Sequence, residues 1–542
     1  MAAALRAAEP ASTPEGRIRD DVTILASDAF EGRAPGTRGE ERTVAYLIEQ
    51  CKQIGLQPGN PDGSYIQKVP LLGVTTQSTV TWSAGGATGT WRPNVDVVAP
   101  SLRMEPHLSL KDSEVVFVGY GVTAPEYGWD DYKNSDVRGK TVVMLINDPP
   151  VTLKDDPTKL DPAVFDGKGM TYYGRWTYKY ENAAAHGAAA CLIIHETGPA
   201  AYPFSVVVDS RSRENFGLLD RKANHKLLNV EGWLSLEAAT DLLAHSGKDF
   251  ATLKSAACSR DFQAIPLSAR IGFEVVNTVR EVQSKNVAAL LPGSDPLYKD
   301  EFILLSAHWD HLGITQDEKG THIFHGALDN ASGVAQFLEV ARQFQALPAD
   351  RKPRRSMLFL FTTSEEKNLL GAKYYAAHPL HPLAKTLADL NLDMGNPYAA
   401  TDDIAIVGMG QNSVEDIAAR VAATQKRTTV PFGRPETGSY FRADHFEFAR
   451  AGIPCLYISI GEHFHGMPDD FAKRFLGEYV ATHYHKPEDQ VQDDWTYEGM
   501  TLDAEFLGRV ALEISAAGEW PHWYDKSEYK ATRERTLSEA RR

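Results

Sequence analysis

Thiols are scarce in this chain. Its 542 residues include four cysteines, Cys51, Cys191, Cys258 and Cys455, and no two stand in a C-x-x-C spacing. That excludes a thiolate-built zinc module and a dense disulfide scaffold. Cys191 and Cys455 adjoin apolar runs and read as buried thiols, with any pairing left open. A long apolar run is also missing: nothing approaches the roughly 20 residues a helix needs to cross a bilayer. Basic excess is absent too. The formal charge is −16, spread along the chain rather than gathered in a block, which argues against nucleic acid or an anionic membrane as partner. The opening MAAALRAAEPAST has no apolar h-region of the signal-peptide kind, and the residues before Pro14 read as disordered. No period of the solenoid or propeller type recurs. What is present is enough apolar content, 43%, and enough length for two or three globular domains.

The most informative stretch is EFILLSAHWDHLGITQDEKGTHIFHGALDN, Glu301 to Asn330. An apolar strand, Phe302 to Leu305, leads to His308 and Asp310 where the apolar run stops. A polar loop then reaches Asp329, just before a turn and a helical pattern carried by Val334, Phe337, Leu338 and Ala341. The pattern recurs: Met357 to Phe361 reads as a strand ending at Ser364-Glu365-Glu366, and Leu390 to Leu392 as one ending at Asp393. Three strands thus release a His or an acid at their carboxyl ends, the edge where open α/β sheets bind ligands. Far downstream, Tyr484-His485-Lys486-Pro487-Glu488-Asp489 adds a second His in a Pro-containing loop. His308, Asp329, Glu366, Asp393 and His485 make a nitrogen and oxygen donor set without thiolate. Such a set suits two zinc ions sharing a carboxylate, about 3.5–4 Å apart.

The order HxD, LDNxSG, EE, NLD, ADHxxFxxAGIP and YHxPxD, spread over Ser306 to Asp489, resembles the M28 family of zinc peptidases. The resemblance implies a metal-dependent exopeptidase, foremost an aminopeptidase, hydrolysing short peptides through a hydroxide held between two Zn2+ ions. It assigns His308 and Asp393 to one zinc, Glu366 and His485 to the other, and Asp329 to both. Asp310 becomes the carboxylate that orients the His308 imidazole. Glu365 becomes the general base that passes a proton to the leaving amine, and Tyr484 the phenol that steadies the oxyanion. Ala443 stands where the family often has Ser. His311, His322, His325, His463 and His465 are set aside as non-ligands, His311 because it follows HxD too closely. Arg442 is the group that would grip a substrate carboxylate, favouring a carboxypeptidase or dipeptidase. A one-zinc glutaminyl cyclase and a non-catalytic receptor-like scaffold are the further alternatives.

The fold expected is α/β, a mixed central sheet flanked by helices, carrying an inserted mostly-β domain. Residues 1–107 and 276–542 would form the peptidase domain, and 108–275 an insertion resembling a protease-associated domain. Within it, Val115 to Val118 and Thr141 to Ile146 read as strands, and Glu181 to Ala190 as an Ala-rich helix feeding a strand at Cys191 to Ile194. His186, His195 and the aromatic group Tyr172, Tyr173, Trp176, Tyr178 and Tyr180 read as packing. Elsewhere Val44, Leu47, Ile48 and Cys51 mark a helix closed by Gly55. Leu502 to Ala516 reads as an amphipathic helix. The loop SDAFEGRAPGTRG resembles an amino-terminal signature of bacterial relatives and receives no chemistry here. Relatives of this arrangement are commonly exported, so the resemblance implies a periplasmic or secreted protein acting on peptides.

Overall fold

A computed structural model describes residues 13–318 and 320–541; the disorder expected at the amino terminus falls almost wholly outside them. Backbone contacts divide the chain into two compact units. The first comprises Met1–Val69, Gln283–Gly433 and Arg442–Arg542, the second Pro70–Val282 and Arg434–Phe441.

The first unit is built on β1 (Phe302–His308), β2 (Ser356–Thr362), β3 (Thr386–Asn391), β4 (Asp403–Ile406), β5 (Thr428–Pro431) and β6 (Cys455–Ser459). Their spatial order is β5-β4-β6-β3-β1-β2. Pairing is parallel for β1 with β2, β1 with β3 and β3 with β6, and antiparallel for β4 with β6. Residues 287–291, the end of the long strand Ile265–Leu291, close the far side antiparallel to β2. Every residue of β1, β2 and β3 is buried. Hence β1 and β2 read as largely apolar runs rather than alternating ones, as strands covered on both faces do, while β3 carries Asp389, whose carboxylate accepts the Ser306 hydroxyl at 2.8 Å.

Helices α1 (Pro14–Leu25), α2 (Arg38–Ile54), α3 (Ser332–Ala346) and α4 (Glu498–Ala516) supply the cover of one face. Their apolar faces (Ile18, Val22, Leu47, Phe337, Leu338, Leu507, Val510) join the same core as the sheet. α2 starts where the Thr37 hydroxyl accepts the Gly39 and Glu40 N–H groups and stops at Gly55, whose φ of 89° is the left-handed cap expected from the sequence. Because β1, β2 and β3 run parallel, their carboxyl ends share one edge. His308, Glu365-Glu366 and Asp393 leave the sheet there.

The second unit has its own core around Phe117, Val143, Leu192, Leu234 and Phe273. It is wider than the 108–275 expected, because Val80, Ala84, Trp91 and Val97 pack into that core. Antiparallel pairing joins 107–117 with 265–276, 81–84 with 87–90, and 71–74 with 215–218. Strands 141–145, 190–194 and 230–234 pair in parallel and alternate with helices Trp176–Ala185, Phe204–Arg211 and Leu236–His245. His186 stacks on Tyr132 at 4.0 Å, and the His195 Nε2 lies 3.1 Å from the Tyr202 carbonyl. Both are packing residues, in line with their reading from sequence. All four cysteines are free, and Cys191 and Cys455 are buried. No helix among the described residues is long and apolar enough to cross a membrane.

Candidate metal centre

Short sequence motifs carry the ligand-type residues, and their neighbours lock the loops in place. After β1, His308 is held through Nδ1, 3.1 Å from the backbone carbonyl of Asp310. The sequence reading puts the Asp310 carboxylate in that place. Its nearer oxygen stands 3.8 Å from Nδ1 and instead accepts the Glu365 N–H at 3.0 Å. Asp310 therefore links the β1 loop to the β2 loop, and a carbonyl sets the imidazole tautomer.

Asp329 sits in the turn before α3. Asn330 stitches that turn to the β3 loop: its amide donates to the Leu392 carbonyl at 2.9 Å, and its Oδ1 accepts the N–H groups of Gly333 at 2.9 Å and Met394 at 3.2 Å. The Ser332 hydroxyl adds a second stitch, donating to Leu328 and accepting from Gly395. From the carboxyl-terminal loop, the Asp489 carboxylate accepts the Leu328 and Asp329 N–H groups at 3.0 and 3.1 Å and the Tyr479 hydroxyl at 3.1 Å. In the sequence Asp489 is only the last letter of a motif; buried backbone N–H groups need such an acceptor.

The result is a pair of clusters sharing Asp329. In one, His308 Nε2 lies 3.1 Å from Asp393 Oδ1 and 3.3 Å from Asp329 Oδ1. In the other, His485 Nε2 lies 2.8 Å from Glu366 Oε2 and 3.4 Å from Asp329 Oδ2. All five residues named from sequence converge. Among the described residues, two groupings have the spacing to hold a cation, His308-Asp329-Asp393 and His311-Asp329-Glu366. His311 is a non-ligand in the sequence reading, yet its Nδ1 stands 2.6 Å from Glu366 Oε1. The excursion between Asp310 and Asp329 turns that ring inward, which spacing along the chain could not reveal. Of the other histidines, His322 pairs with Asp317, His325 with Asp28, His463 with Asp403 and His465 with Asp402, away from these clusters.

Burial and neighbouring charges shift several groups of the centre. Burial works against the charged form of His308, but Glu365, Asp329 and Asp393 outweigh it and hold its pKa well above the usual value. His485 is likewise pushed up to about 10 against its burial, by Glu366 and Asp329. Burial first, then the carboxylates of Asp393, Glu366 and Asp444, push Glu365 well above the ordinary range, although His308 opposes them. Asp310 rises to about 8, chiefly through burial. Carboxylates crowded this closely away from water need cations to stay ionised together. Three carboxylates with imidazoles and no thiolate suit a divalent ion of zinc type. Glu365 reaches the centre without a hydrogen-bonding partner as close as those of the ligands, Oε2 standing 3.9 Å from His308 Nε2. Tyr484 stacks on His485 with ring centroids 3.9 Å apart. Asp444 is buried and accepts the Thr362 hydroxyl at the end of β2.

Known proteins resemble this chain in the same region. The model of peptidase family M28 matches residues 286–503. Aminopeptidase YwaD of Bacillus subtilis is 27% identical over 195 residues, 35% of this chain and 36% of that protein. A probable zinc metalloprotease of Pyrenophora teres f. teres is 38% identical over 121 residues, 22% of this chain and 24% of that protein. The matched stretches thus span about a third or less of these relatives. Among solved structures, the aminopeptidase from Aneurinibacillus sp. strain AM-1 shares the fold, with a TM-score of 0.52 at 20% identity over 92% of this chain and 93% of that one.

Proposed function

We propose, from the match of residues 286–503 to the model of peptidase family M28, that the chain is a zinc-dependent aminopeptidase acting on short peptides. The observation that carries the reading is the pair of imidazole-carboxylate clusters sharing Asp329, with Glu365 beside them. His308 and Asp393 would hold one zinc, Glu366 and His485 the other, and Asp329 both. Bound there, zinc polarises the scissile carbonyl and eases deprotonation of water near neutral pH.

The rest is done by side chains. Glu365 takes the proton of the attacking water on its carboxylate and delivers it to the leaving amine nitrogen, which departs poorly as an anion; a positioned acid-base group of this kind contributes roughly 10²–10⁴ in rate. Tyr484, fixed by its stack on His485, donates its hydroxyl to the carbonyl oxygen as negative charge develops. The surplus of carboxylates favours a substrate with a free α-ammonium group over one with a blocked end.

A second reading, a carboxypeptidase or dipeptidase, rests on Arg442, whose charge acts on both Tyr457 and Tyr484. We also read the second unit, which contains the 108–275 expected from sequence, as a protease-associated module and the protein as exported, on the resemblance of the sequence alone. The discriminating experiment is a panel of amino-acid amides, amino-blocked peptides and dipeptides, run on the full chain with and without chelator. Hydrolysis of unblocked amides, lost with chelator and restored by zinc, is expected. Preference for amino-blocked peptides with a free carboxylate would move the assignment to the second reading. Chelator-resistant hydrolysis would end both.

A further inference from the structure

The loop SDAFEGRAPGTRG lies far from the ligand motifs in sequence, and one of its residues reaches them in space. Glu31, Gly32 and Arg33 all have positive φ (51°, 63° and 52°). Gly32 is required there, since a Cβ would collide with the Gly313 and Phe324 carbonyls. The turn drives Arg33 inward until 1% of it is exposed.

Its guanidinium then donates to four backbone carbonyls. Nε reaches Trp309 at 2.8 Å, Nη1 reaches Leu25 at 2.7 Å and His325 at 2.6 Å, and Nη2 reaches Gly326 at 2.8 Å. Its own carbonyl accepts the His311 N–H at 3.4 Å. The Leu25 contact caps α1 and is ordinary packing. The other three acceptors are different: Trp309 lies between His308 and Asp310, and His325 and Gly326 open the turn that ends at Asp329. One side chain therefore pins both ends of the excursion between the two ligand-bearing segments. It also lies in the combined field of Asp489, Asp310, Asp329 and Glu366. A fork of rigid donors suits that span, and a lysine, with a compact point charge, could not bridge it.

We propose that Arg33 is a positioning residue of the metal centre: it holds the carbonyls of Trp309, His325 and Gly326 so that His308 and Asp329 stand in ligand geometry before a cation arrives, while its charge offsets the gathered carboxylates. The proposal rests on the metal-centre reading above. It identifies the amino-terminal signature as part of the working site rather than a connector.

The test uses the full-length chain, the Arg33→Lys and Arg33→Gln variants, and zinc as probe. Zinc affinity by chelator competition should fall at least about tenfold in both variants, the scale seen when groups supporting metal ligands are lost. The rise in Tm on adding zinc should shrink, and kcat should fall more than KM rises. Equal losses of Tm with and without zinc, at unchanged zinc affinity, would overturn the proposal and leave the metal centre standing. A wild-type chain that binds no zinc would overturn both.

Should neither variant fold, amide hydrogen exchange on the wild-type chain decides. Residues 308–311 and 325–329 should be protected in the zinc-free protein and gain little from zinc. Fast exchange that only zinc suppresses would refute a preformed site.

Discussion

The Glu365 carboxylate is buried at the ends of β1 and β2, and its contacts are with the very groups that would hold zinc. Replacing it by Gln removes the proton acceptor while keeping shape and hydrogen-bonding capacity. Glu365→Gln should therefore retain zinc in elemental analysis and lose turnover by at least about a hundredfold; normal turnover would remove Glu365 from the chemistry. Asp489 has the opposite character, serving the backbone rather than the reaction. Asp489→Ala strips two buried N–H groups of their acceptor, at roughly 1–3 kcal/mol each, so a clear drop in denaturation midpoint and weaker zinc binding are expected together. The ligands are legible in the sequence because each sits in a short local motif, at a strand end for His308, Glu366 and Asp393, before α3 for Asp329 and in the Pro-containing loop for His485. His311 and Arg33 are not, since their reach depends on how the 310–326 excursion and the Glu31–Arg33 turn fold.

At the scale of elements, β1 and β2 are readable as largely apolar runs because both of their faces are covered, whereas β3 is interrupted by Asp389. The helix expected at Glu181 to Ala190 instead occupies Trp176–Ala185. Gly187, with φ of 76°, ends it, so the second half of the alanine run passes into a turn and the strand at 190–194. Glycine is decisive again at the start of α3. There the Asn330 side chain caps the helix through the Gly333 N–H, and a Cβ on Gly333 would run into that same side chain. Gly333→Ala should push Asn330 off the β3 loop, lowering both Tm and zinc affinity even though alanine is the better helix former by about 1 kcal/mol. A variant more stable than wild type, with zinc binding intact, would mean that the cap does not link helix to site.

Over the whole molecule, the second unit begins well before the 108 expected from sequence, and its limits are not legible there. Residues 80–97 fall in the stretch the sequence assigns to the peptidase domain, and only the fold shows Val80, Ala84, Trp91 and Val97 entering the second core. That unit carries its own pH signature. Burial pushes His195 down to about 4, against the weaker raising effect of the Tyr202 carbonyl. The folded state keeps the imidazole neutral while the unfolded chain takes up a proton below about pH 6.5. His195 thus contributes fully above that pH, and its contribution is lost as pH falls toward 4. Unfolding midpoints of wild type and His195→Gln should converge, or cross, between pH 7 and 4.5; parallel curves would clear His195 of any part in acid sensitivity.

The central claim is that side chains from five separate segments form one cage for two cations. Zinc content of the purified full-length chain, loaded with zinc and freed of loosely held metal, tests it most directly. The account predicts close to two zinc ions per chain, falling to one or none in Asp329→Ala. A wild-type value near one or zero would contradict it.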